Sequence, residues 1–148
     1  MESKDRNTFW NWNLTEKEYR EQVEGYSSIE FNKSIRGQIF WFFAFISAVT
    51  LAMSFFLPEF VDTTTAITSL VIYGVLTFLV IKGLRWGYVV FLAWWVIDKA
   101  VTIWASVTEG YASSVVSGFV FLAIGVILLI KGIKIENARH KLMNQEAT

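Results

Sequence analysis

From Gly37 to Ile81 the chain carries two charged residues, Glu59 and Asp62; from Trp86 to Ile130 it carries three, Asp98, Lys99 and Glu109. These two apolar blocks constrain the fold more than any other feature. A bilayer core is about 30 Å thick, and a helix needs about 20 apolar residues to cross it. Each block therefore has room for two crossings and a turn. The run Ile39-Phe40-Trp41-Phe42-Phe43-Ala44-Phe45-Ile46 is apolar on every side of a helix, as expected of a segment surrounded by lipid. The expected fold class is all-α, an integral membrane four-helix bundle. Its spans fall at about 37–57, 64–82, 86–107 and 112–131, between a polar 1–36 segment and a polar, basic 132–148 tail.

Turn chemistry supports this division. Pro58 disfavours helix at Leu57 and so stops the first span. Thr63-Thr64-Thr65 offer capping hydroxyls for the second. Gly83 can take a left-handed cap after Lys82, and Glu109-Gly110 separates the third span from the fourth.

Composition excludes several classes of function. Only 18% of residues are charged, against about 25% in a soluble domain. Thirteen basic residues balance thirteen acidic ones, which leaves no basic excess for nucleic acid. The absence of cysteine removes thiolate metal sites and cysteine nucleophiles. His140 is the one histidine, and it lies in the charged tail beside Arg139 and Lys141. The loops are short, and the sequence has neither a phosphate-binding glycine loop nor a metal-ligand cluster. The expectation is a non-enzymatic protein with no cofactor and no metal. The first apolar run begins after 36 polar residues and no cleavage site follows a short core, so span one is expected to stay in the protein.

Orientation follows from lysine and arginine in the short connections. Lys33 and Arg36 precede span one, Lys82 and Arg85 join spans two and three, and Lys131 and Lys134 follow span four. The 58–63 and 108–111 turns have no basic residue. Both termini are thus expected on the cytoplasmic side of the cell (plasma or inner) membrane.

An offset of 49 residues aligns the two halves without a gap: Ile81-Lys82-Gly83-Leu84-Arg85 falls on Ile130-Lys131-Gly132-Ile133-Lys134, and Arg36 on Arg85. The register suggests two tandem helical hairpins in parallel orientation. In the N-terminal segment, Thr15 and Glu18 form the ends of a capping box, with Leu14 stapling onto Tyr19, for a helix over about 16–24. Phe9-Trp10-Asn11-Trp12 before it reads as an interfacial anchor.

Small residues mark packing seams. Gly118, Gly125 and Gly132 recur every seven residues in span four, as Ala44, Ala48 and Ala52 recur every four in span one; such faces let helices approach closely. The chemically suggestive feature is Asp98 with Lys99 near the centre of span three, where each charge costs about 2.5–3.5 kcal/mol. Trp94 and Trp95 lie one turn before them and Thr102 one turn after. The repeat places Ser47, Thr50 and Ser54 of span one at the same depth. These are the candidate polar partners, with Asp98 accepting from the span-one hydroxyls and Lys99 over Trp95. The expected partners are the lipid bilayer and either a second copy of the chain or another membrane subunit. The alternative function is a small cation- or proton-coupled transporter working through Asp98 and Lys99.

Overall fold

The computed structural model describes residues 16–26, 28–57 and 61–146. It is all-helical: α1 (Glu16–Glu24), a short 3-10 turn (Phe31–Lys33), α2 (Ile35–Phe56), α3 (Thr63–Ile81), α4 (Arg85–Thr108) and α5 (Ala112–Glu146). Helices α2 to α5 are each long and apolar enough to cross a membrane. The expected residues at Phe9–Trp12, Leu14, Thr15 and Pro58 lie outside the described part, as does the Glu18 side chain.

Helix ends follow from local hydrogen bonding. The Ser34 hydroxyl accepts from the Gly37 N–H at 3.0 Å and starts α2. At α3 the cap is Asp62, one residue before the threonines expected there. Its carboxylate accepts from the Thr65 N–H at 3.0 Å and from the Thr65 hydroxyl. Because these donors favour the ionised form, the Asp62 carboxyl is held below the usual range, the Thr65 hydroxyl contributing most. Gly83 and Gly110 close α3 and α4 with φ of 69° and 79°. In each case the glycine N–H and the next N–H reach back to carbonyls of the last turn: Gly83 to Val80, Leu84 to Leu79, Gly110 to Val107 and Tyr111 to Ser106. This is the left-handed glycine cap.

Helix α5 does not end near Ile130. It continues through the basic tail to Glu146 as one helix of 35 residues. Gly132, which the 49-residue offset aligns with the turn glycine Gly83, is helical and packs against Tyr88. No proline follows it, so nothing in the tail breaks the helix.

The most extensive helix contacts are α4 with α5 and α2 with α3; α3 with α4 and α2 with α5 are smaller, and α1 rests on α5. The core is asymmetric along the helices. Ile39, Phe43, Tyr73, Val80, Tyr88, Phe91, Trp95, Leu128 and Ile135 are buried together, in the half nearest the 82–84 turn. Towards the other two turns, past Asp98, the buried residues of the four long helices are Ser54, Ala66, Ser106 and Gly118, all small. The outward faces carry exposed Trp41, Phe45, Val71, Phe78, Val101, Trp104 and Phe119, side chains suited to lipid.

Candidate functional site

Helix periodicity places Phe91, Trp95 and Asp98 on one face of α4, at successive spacings of four and three residues. Phe91 and Trp95 are fully buried, so Asp98 is drawn towards the same interior. Its carboxylate meets the Lys99 ammonium at 2.9 Å. Neighbouring residues on a helix diverge by about 100°, but the flexible lysine stem closes that gap. Lys99 also stands 4.6 Å from the centre of the Trp95 ring, the cation–π contact expected from the sequence. The same Asp98 oxygen accepts a 2.7 Å hydrogen bond from the Tyr73 hydroxyl on α3.

Tyr73 is the partner that the sequence reading missed. Among the described residues, the side-chain partners of Asp98 are Tyr73 and Lys99, not the hydroxyls of α2. Ser54 donates to the Leu51 carbonyl at 2.8 Å. Ser47 lines a groove between α2 and α3. Thr50, chosen by repeat register, makes no hydrogen bond to Asp98. Thr102 donates to the backbone carbonyl of Asp98 at 2.8 Å, which leaves the carboxylate to the other two groups. Trp94 is exposed on the outer face. A tyrosine in the middle of an apolar span was the legible signal, since a buried phenol needs an acceptor.

The pair is not sealed. The side chains of Asp98 and Lys99 remain 27% and 16% exposed. Beneath them lies an aromatic cluster: Trp95 meets Phe43 edge-on at 5.0 Å, Phe43 lies 4.2 Å from Phe91, and Tyr73 lies 5.9 Å from Trp95. On the other side only small residues are buried. The site is thus closed by aromatics towards the 82–84 turn and loosely packed towards the 109–111 turn. Among the described residues there is no group of three or more potential metal ligands.

The glycine seam is occupied within the chain. Ile103 packs on Gly118, Trp95 on Gly125 and Tyr88 on Gly132, so α4 takes the seam of α5. A Cβ at Gly125 would lie 2.1 Å from the Trp95 indole nitrogen. Ala44 and Ala48 face α3 instead, in the groove that also contains Ser47.

A second polar cluster escaped the sequence reading. Tyr26 lies between two guanidinium groups, Arg36 at 3.9 Å and Arg139 at 4.0 Å from its ring centre. Its hydroxyl donates to Glu136, which is fully buried. Arg139 is 3.5 Å from the other Glu136 oxygen. Arg36 also donates to the Tyr26 and Ile81 carbonyls at 3.1 and 3.4 Å. Burial, followed by the hydrogen bond to Glu136 and its charge, raises the Tyr26 hydroxyl to about 12. The signal was the periodic apolar face of α5, which continues past Gly132 through Ile135 and Ala138 and carries Glu136 with it.

No protein-family model, curated protein sequence or solved structure matches this chain.

Proposed function

We propose that the chain is a non-enzymatic, multi-pass protein of the cell membrane that acts by association within the bilayer, with a second copy or as a small subunit of a membrane complex. Both termini lie on the cytoplasmic side in this reading, and the spans form a bundle of two tandem hairpins. The observation that carries it is the Asp98–Lys99 pair, neutral as a unit and still partly exposed at mid-span. Intramembrane charges ordinarily face protein or a water-filled cavity, so a pair with this exposure calls for a covering helix. Lys99 already serves as the counter-cation of Asp98, which leaves the carboxylate no net charge to offer a transported ion.

A photo-crosslinking side chain at Thr102, exposed one turn above Asp98, tests the reading in native membranes. The expected product is a discrete adduct, to the chain itself or to one membrane protein, whose yield falls when Lys99 is replaced by Met. Lipid adducts alone would overturn it.

The loose packing beyond Asp98 favours a second reading, a small cation- or proton-coupled transporter. It requires water at the pair. The chain has no native cysteine, so a cysteine introduced at position 98 reports cleanly. Rapid labelling by a membrane-impermeant thiol reagent, together with lost transport in Asp98→Asn, would select the transporter.

A further inference from the structure

Helices α2 and α3 leave an apolar groove between them of about 540 Å³. Its walls include Phe40 and Leu51 on α2 and Leu70 and Ile81 on α3; its floor is kept low by Ala48 and Gly74. A Cβ at Gly74 would meet nothing within 4 Å, so the glycine leaves open space rather than a helix contact.

Three features point to one occupant. The first is length. Phe40 to Leu51 and Leu70 to Ile81 each cover twelve residues, about 16 Å of helix, which matches half of a hydrocarbon core about 30 Å thick. The groove is one leaflet deep, too short for a crossing helix from another protein. The second is its lining, which is almost wholly hydrocarbon and aromatic; the one phenol, Tyr73, directs its hydroxyl to Asp98. The third is the charge at its mouth. Lys82 is exposed with its ammonium 5.3 Å from the Phe78 ring centre, and Phe78 lines the groove. Arg36 donates to the carbonyl of Ile81 at 3.4 Å on the same rim. Cations at the headgroup level attract anionic lipids.

We infer that this groove binds a phospholipid with an anionic headgroup, one acyl chain lying between α2 and α3 and the phosphate at Lys82. The cations on the rim set the preference for negative headgroups, and the groove accounts for retention of the chain. Arg36 is tied to backbone carbonyls and contributes its charge from a fixed position. Lys82, which is exposed, is the contact for the phosphate.

Native mass spectrometry on protein taken from vesicles of equal phosphatidylglycerol and phosphatidylcholine tests this. The parent is expected to retain one phosphatidylglycerol, at least fivefold over phosphatidylcholine. Lys82→Glu should retain a lipid but lose the preference. Gly74→Leu, which fills open space and leaves the helix contacts in place, should retain neither lipid, and Ala48→Leu serves as a second plug. Thermal unfolding and helix content like the parent's identify the plug variant that is folded. No retained lipid in the parent, or equal retention in a folded plug variant, would overturn the site. Unchanged headgroup preference in Lys82→Glu would overturn the role of that residue.

Discussion

The Tyr73 hydroxyl on α3 donates to the Asp98 carboxylate on α4 over 2.7 Å, near the middle of both helices. It crosses the α3–α4 contact, which is less extensive than α2–α3 or α4–α5. Apolar packing is nearly as good against lipid as against protein, so polar bonds between helices carry weight where the contact is thin.

Replacing Tyr73 by Phe should lower stability by about 1 kcal/mol, the scale of an interhelical hydrogen bond in a membrane. Removing either charge alone should cost more, up to about 3–5 kcal/mol, because its partner is left uncompensated and largely out of water. Replacing Asp98 by Val, Lys99 by Thr and Tyr73 by Phe together should approach the parent, since no orphaned donor or charge remains. Reversible unfolding in detergent micelles measures the four variants and the parent on one scale.

Gly125→Ala should destabilise by about 1–3 kcal/mol through overpacking, as the added carbon would lie 2.1 Å from Trp95 Nε1. Gly74→Ala meets nothing and improves helix propensity. Its melting temperature should equal or exceed the parent's. A matched loss in both variants would contradict the α4–α5 seam.

Gly83→Ala and Gly110→Ala both force a side chain into the left-handed region, at about 1–2 kcal/mol each. Only the first adds a collision, 2.5 Å from the Tyr26 hydroxyl. Gly83→Ala should therefore be the worse of the two. The difference between their unfolding free energies should shrink in a Tyr26→Phe background, which lacks the hydroxyl.

The raised Tyr26 hydroxyl gives a pH window with a definite sign. Folding favours the protonated phenol, so its stabilisation is complete below about 10, the unfolded value. It is lost as pH rises towards about 12. The contact between α1 and α5 should loosen across that interval, followed by protease sensitivity between Glu24 and Phe31. Tyr26→Phe should remove this pH-dependent step.

The apolar blocks made the helices legible, because length and hydropathy alone limit a lipid-surrounded chain. Expected spans at about 37–57, 64–82 and 86–107 compare with helices Ile35–Phe56, Thr63–Ile81 and Arg85–Thr108. The fourth helix, expected to span about 112–131, runs on to Glu146, because the polar tail that bounds the apolar block does not break the helix. Asp98, Lys99 and the Trp95 contact were legible from helical spacing within one element. A mid-span tyrosine signalled that Tyr73 needs an acceptor, but not which one, since its partner lies 25 residues away and the repeat register pointed to Thr50. Tyr26 and Glu136, 110 residues apart, meet only because α5 continues beyond the apolar block.

That continuation has a mechanical consequence. Thirty-five helical residues extend about 52 Å, some 20 Å more than a hydrocarbon core. Sharp bends in helices arise at proline, glycine or inserted groups, and past Gly132 the sequence has no proline or glycine. The aqueous end of α5 is then a stiff lever whose fulcrum is the ring of Tyr26 held between Arg36 and Arg139. A force that tilts residues 138–146 is delivered to the Tyr26 cluster and to the Gly132–Tyr88 contact.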